Sequence, residues 1–176
     1  PPRSWSSGPD RVAPPAGPGC RVHRVARALC WSGQWWCLVG GTGWDALIDS
    51  GPADLYFATA ERPAAIKSAL APVADHLWLQ GERFGTVGAR VDGVDCEVTT
   101  FRSDVYRSES RKPEVTFGDS IETDLARRDF TVNAMALRMP GAVRIDPHDG
   151  APGLASGRWG PPLAPEAPVA RDPPRR

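Results

Sequence analysis

Three observations predict a mixed α/β domain with proline-rich ends. Of the 19 prolines in 176 residues, six fall within 1–18 and eight within 147–176. Proline fixes φ and removes a backbone donor, so both ends are expected to be disordered. Between them, short apolar runs closed by glycine alternate with segments of helical spacing. Finally, Asp92-Gly93 separates two alternating stretches, Thr86–Val91 and Val94–Phe101, which is the pattern of a β-hairpin with a two-residue turn.

Taken in order, Trp35–Val39 is a short apolar run ended by Gly40-Gly41 and predicts a buried strand. Asp45–Ile48 reads as a helix start, and Asp54–Ala58 as a second strand. Arg62–Leu70 carries Pro63 in its first turn with Ala, Ile and Leu at helical spacing, which predicts a helix. In Val94–Phe101, Val94, Cys96 and Val98 share one face while Asp95, Glu97 and Thr99 share the other, so the second face is expected to be solvated. Asp119–Leu137 is helical in spacing with Asp119 or Ser120 as its cap, and Gly141–Ile145 is a short strand ending in a turn at Asp146-Pro147.

Composition narrows the function classes. Lys+Arg and Asp+Glu both number 21, so no overall basic field marks a nucleic-acid binder. No run approaches the ~18 apolar residues a membrane helix needs. The cysteines (Cys20, Cys30, Cys37, Cys96) lack metal-finger spacing and predict free thiols in a reducing compartment, the cytoplasm. The chain starts at Pro1 without an initiator Met or a signal-peptide pattern, so it reads as the cut edge of a longer chain.

Five places carry residues suited to chemistry. Gly41-x-Gly43-x-x-Ala46 follows a strand and partly matches a dinucleotide fingerprint, although no acidic residue follows where that motif needs one. Asp54 lies on a strand, and Glu97 on the polar face of the hairpin. Asp129 and Asn133 fall on one helical face beside Arg127-Arg128. Asp146-Pro147-His148-Asp149-Gly150 reads as a turn. Each has a structural explanation when taken alone.

Their order is more specific. Gly40-Gly41, then Asp54-x-Tyr56, then GxxFGTV, EVTTFR, SRKPxVxFGDSIExDLARRDFTVNAMA and IDPHDG together resemble the head domain of the class II tRNA nucleotidyltransferases, the CCA-adding enzymes, and the related bacterial poly(A) polymerases. The resemblance runs from about Trp36 to Arg175 and is densest from Gly81 to Gly150. It implies the DNA polymerase beta-like nucleotidyltransferase fold, with 1–20 as a leader, 21–150 as the head domain and 151–176 as a degraded, truncated start of the neck region. It also implies transfer of nucleotides from CTP and ATP to the 3′ end of tRNA, with two Mg²⁺ ions held by carboxylates. The neck, body and tail domains that grip tRNA in the family have no counterpart within these 176 residues.

Residue by residue, the resemblance assigns Asp54 and Glu97 as catalytic, metal-binding carboxylates. It assigns Gly40, Gly41, Asp45, Arg128, Asp129, Asn133, Asp172 and Arg175 to the nucleotide. Arg102 and Arg111 lie in basic segments suited to phosphate or RNA. The chain departs from the family pattern at three positions. The second Asp of the D-x-D metal pair is Tyr56, a neutral phenol at working pH. The triphosphate-binding Arg is Trp44, which has no charge to pair with phosphate. In the base-selecting E-D-x-x-R element, Arg171 stands for Glu ahead of Asp172 and Arg175. These departures predict little or no activity. Two alternatives remain: a non-catalytic nucleotide- or RNA-binding remnant, and a dinucleotide-binding module at Gly41–Ala46.

Overall fold

The computed structural model describes Val25, Leu29 and residues 35–40, 54–105, 114–139, 143–157 and 160–162. Its strands are β1 (Trp36–Val39), β2 (Asp54–Thr59), β3 (His76–Trp78), β4 (Thr86–Val91), β5 (Val94–Thr100), β6 (Arg102–Val105), β7 (Glu114–Phe117), β8 (Ala136–Met139) and β9 (Val143–Ile145). Its helices are α1 (Pro63–Leu70), α2 (Ile121–Ala126) and α3 (Gly150–Ser156). Seven strands form one sheet in the order β3-β4-β5-β2-β1-β8-β9, and β6 pairs with β7 in a separate ribbon. Every neighbouring pair in the main sheet is antiparallel except β2–β5, which is parallel.

The β4–β5 hairpin forms as its sequence predicts. Asp92 and Gly93 both take positive φ, 53° and 74°, which suits the right-handed twist of the flanking strands. Along β5 burial alternates, with Val94, Cys96 and Val98 inside and Asp95, Glu97 and Thr99 half-buried on the opposite face. Helix α1 begins at Pro63 as expected, with Arg62 as its N-cap. β2 runs one residue beyond the expected Asp54–Ala58, to Thr59.

Each sheet face has its own core. On one, Leu38, Leu55, Phe57, Val87, Ala89, Cys96, Val98 and Leu137 pack with Ile66 and Leu70 of α1 and with Val25 and Leu29. Trp36 meets Phe57 edge-on there, ring centroids 5.0 Å apart. On the other, Cys37, Val39, Ala58 and Ala136 pack with Phe101 and with Ile121 and Leu125 of α2. Burying large aliphatic and aromatic side chains of this kind contributes about 1.5–3 kcal/mol each.

The long helix expected over Asp119–Leu137 does not exist. Ser120 caps α2, its Oγ accepting the Thr123 N–H at 3.3 Å, but the helix ends at Ala126. After it the Asp129 carboxylate accepts the N–H of Phe130 and the Asn133 side-chain amide. Such local bonds give the backbone an alternative to helix. Thr131–Asn133 makes one 3₁₀ turn, and Ala136–Met139 then joins the sheet against β1. Tertiary pairing overrides the helical spacing of that apolar run.

Asp45–Ile48 lies outside the described residues, as do Gly41, Arg111, Asp172 and Arg175. Among the described residues no helix is long and apolar enough to cross a membrane. Cys37 and Cys96 are free and buried, and burial pushes both thiols up to about 12.

Candidate active site

Register alone puts the candidate carboxylates on one surface. In the parallel β2–β5 pair, Asp54 lies opposite Asp95 and Tyr56 opposite Glu97. Residues opposite one another in a pair share a face. Leu55 and Phe57, which alternate with Asp54 and Tyr56, point into the core with Cys96 and Val98. Asp54, Tyr56 and Glu97 therefore occupy the opposite face, Tyr56 39% exposed and the two acids half-buried.

Tyr56 stands where a second anionic ligand is expected. Partial desolvation first, then the negative charges of Asp54 and Glu97, hold its phenol above the ordinary tyrosine value. The same two charges that would attract a cation thus keep Tyr56 protonated. Among the described residues no cluster of three or more His, Cys, Asp or Glu is placed to hold a metal ion. The donor set offers two carboxylates to a hard cation and falls short of a set for two cations.

The Arg127-Arg128-Asp129 segment sits on the same side of the sheet. Helix α2 packs over Cys37 and Ala58, and Cys37 feels the charges of Arg138, Glu122, Asp124 and Arg128. Asp124 organises the segment and is 1% exposed. Its Oδ1 accepts from Arg127 Nη2 at 3.0 Å and Nε at 3.2 Å, and from the backbone N–H of Arg102 at 3.1 Å. Its Oδ2 accepts from Arg128 Nη2 at 3.2 Å. Arg128 Nη1 also reaches the Asn133 carbonyl at 3.4 Å, so its guanidinium is fixed from two sides.

Asp129 and Asn133 are neighbours as the sequence suggests, for a different reason. They meet across the 3₁₀ turn through an amide–carboxylate bond of 3.0 Å, not on one face of an α-helix. That bond, more than any other contact, keeps the Asp129 carboxyl below the usual carboxylate range.

The Asp146–Gly150 element does more than turn the chain. Asp146 Oδ1 accepts the Gly150 N–H at 2.7 Å and Oδ2 the Ala151 N–H at 2.9 Å, satisfying donors that a helix start leaves open. A Cβ on Gly150 would lie 2.3 Å from the Thr131 carbonyl and 2.7 Å from Met135 Cγ. Only glycine lets α3 press this closely on the 3₁₀ turn that holds Asn133.

Sequence reasoning passed over Asp124, Arg138 and Trp78. The signal for Asp124 is its spacing of three and four residues from two arginines on a helix. Arg138 lies over the Trp35 ring, 4.5 Å from its centroid, and nothing local in the sequence announces that contact. Gly40 takes φ 77° at the end of β1, as a glycine-closed strand suggests. A dinucleotide βαβ unit needs β1 and β2 parallel. They are antiparallel, which removes that alternative.

A family model described as the poly A polymerase head domain matches residues 36–158. The CCA-adding enzyme of Latilactobacillus sakei subsp. sakei is 42% identical over 113 residues, 64% of this chain and 27% of that enzyme. That of Geobacillus kaustophilus is 41% identical over the same shares. The solved structure of the Bacillus stearothermophilus CCA-adding enzyme in complex with CTP matches with a TM-score of 0.61 and 31% identity, covering 77% of this chain and 31% of that one. A tRNA nucleotidyltransferase complexed with a primer tRNA and an incoming ATP analog matches at a TM-score of 0.55 and 27% identity, over 74% and 36% of the two chains. The chain thus spans about a quarter of the length of the curated relatives it matches. Enzymes of this class generally use divalent metals. The fold is that of the DNA polymerase beta-like nucleotidyltransferases, and the chain belongs to the poly A polymerase head-domain family.

Proposed function

We propose that the chain is the head-domain portion of a CCA-adding tRNA nucleotidyltransferase. In this reading residues 21–150 form the catalytic head, 1–20 a leader and 151–176 the start of the following neck. The reaction is transfer of nucleotides from CTP and ATP to the 3′ end of tRNA in the cytoplasm. One observation carries the reading: Asp54 and Glu97 share a sheet face, and the Arg128–Asn133 network lies over that same face.

Each group has a role that its chemistry fits. Asp54 and Glu97 are the catalytic carboxylates and would hold Mg²⁺, which when bound neutralises charge on the triphosphate. Arg128, fixed by Asp124 and the Asn133 carbonyl, presents a guanidinium to phosphate or base. Asp129 and Asn133 offer an acceptor and an amide to the sugar hydroxyls. Gly40, Gly41 and Asp45 are assigned to the nucleotide, glycine being the residue that admits a triphosphate close to the backbone. Asp172 and Arg175 read the Watson–Crick edge of the incoming base.

Turnover is held low by Tyr56 and Trp44. Loss of one metal-binding carboxylate removes ~4 kcal/mol of transition-state stabilisation, roughly a thousandfold in rate. The test is incorporation of radiolabelled CTP or ATP into tRNA ending at its discriminator base. The parent chain is expected near background, and Tyr56→Asp with Trp44→Arg to raise both metal affinity and rate. Robust turnover by the parent overturns the ligand assignment.

The protonated Tyr56 phenol between two carboxylates favours one second reading, a remnant that binds nucleotide or RNA without turning it over. It predicts Mg²⁺-assisted ATP or CTP binding by calorimetry with no incorporation even in the repaired variant. Absence of binding at millimolar nucleotide removes it.

A further inference from the structure

The carboxylate face continues past Glu97 to the sheet edge, and register shows what lies along it. Tyr56 is opposite Glu97 in β5, Glu97 opposite Gly88 in β4, and Gly88 opposite Trp78 in β3. Val87 and Ala89, flanking Gly88, point into the core, so Gly88 and Trp78 share the face of Glu97. The indole fills the place of the missing side chain: a Cβ on Gly88 would lie 1.8 Å from Trp78 Nε1 and 2.0 Å from Cε2. His76 stands beside it, rings tilted by 30° at 6.3 Å. Trp78 is half-buried and His76 exposed, so part of this aromatic surface meets solvent.

Basic side chains lie on the segment that follows Trp78 in the chain. The loop leaving Trp78 carries exposed Arg83, whose guanidinium lies 4.5 Å from the exposed Phe84 ring. Arg102 Nη1 donates to the Phe84 carbonyl at 3.4 Å. In the adjoining row Arg90 is bound by Asp95 at 2.6 Å, so its charge is already matched. Aromatic faces combined with basic side chains are the means by which proteins hold single-stranded nucleic acid, and every base has a face to stack. The Arg128 segment flanks the carboxylates from the β1 side, whereas Trp78 flanks them from the β4 side.

We propose that Trp78 is the stacking platform for the terminal base of the RNA acceptor, presenting its 3′ hydroxyl to the face of Glu97 and Asp54. The inference rests on the nucleotidyltransferase reading above and adds to it a residue and a side of approach. Covering a strand glycine is also a structural task for an aromatic ring, so the experiment separates cover from stacking.

The measurement is fluorescence anisotropy of the full chain with a 5′-labelled RNA minihelix whose single-stranded end stops at the discriminator base. Trp78→Leu keeps an apolar cover over Gly88 and removes the extended π-face. It is expected to weaken binding about 10-fold, equally for A- and C-ended RNA, whereas Trp78→Phe stays within about 3-fold of the parent. A Leu variant that melts like the parent and binds RNA equally well overturns the platform alone. Should the Leu variant not fold, 4-thiouridine at the terminal position of the RNA is expected to crosslink in the parent to the peptide bearing His76 and Trp78. Crosslinking confined to other peptides overturns the proposal. A parent chain that binds neither RNA nor nucleotide overturns the nucleotidyltransferase reading itself, and the platform with it.

Discussion

The β2–β5 strand pair and the turn after α2 keep their family features in opposite ways. Along β2–β5 the backbone scaffold is intact: Tyr56 sits opposite Glu97 on the face where the family pattern leads one to expect a third carboxylate. The group found there is a phenol. In the α2 turn every side chain of Asp124-Leu125-Ala126-Arg127-Arg128-Asp129 that matters is present and bonded. A strand position tolerates substitution because the ladder depends on backbone groups, whereas the turn is built from side-chain bonds and fails if one is lost.

That contrast predicts unequal damage. Asp124→Ala strips the buried partner from Arg127, Arg128 and the Arg102 N–H, and should destabilise by about 3–5 kcal/mol in urea unfolding. Tyr56→Ala, on an exposed strand position, should move stability by less than about 1 kcal/mol. Comparable losses in both would erase the distinction. Next in size, Gly150→Ala drives a methyl into the Thr131 carbonyl and should cost about 1–3 kcal/mol, with Asn133 amide exchange rising as the turn loosens.

Two smaller effects sharpen the same comparison. Cys37 under α2 and Cys96 in β5 are both buried with thiols near 12, so neither should be alkylated in native protein at pH 8. Mass spectrometry after partial Asp124→Ala unfolding should show Cys37 labelled ahead of Cys96. Smallest of all, Asn133→Ala removes the bond that most lowers Asp129 from its ordinary 3.8. A depressed carboxyl contributes its tie above the ordinary value and loses it as pH falls through the folded value. In the variant Asp129 should therefore titrate upward toward 3.8 in carboxyl-carbon NMR.

What the sequence reveals follows the same division. The hairpin is legible because Asp92-Gly93 and period-two alternation are local signals, and α1 because Pro63 pre-sets its first turn. The face shared by Asp95, Glu97 and Thr99 is legible for the same reason. The helix expected to continue to Leu137 misleads because the Asp129 side chain captures the backbone, and because β1 recruits Ala136–Met139 from a distance. No local pattern reveals that β2 pairs with β5, or that the Trp78 indole covers Gly88. Asp54 and Glu97 are readable as candidates from motif order, but their meeting on one face comes from that long-range pairing.

The one parallel ladder in an otherwise antiparallel sheet has a consequence for the newborn chain. Hairpins zip as they leave the ribosome, but β2 must wait until α1, β3 and β4 have been made and β5 can slot beside it. The face that carries Asp54 and Glu97 is therefore a late product of assembly, and a fragment released before β5 carries Asp54 without the acidic strand that lies opposite it.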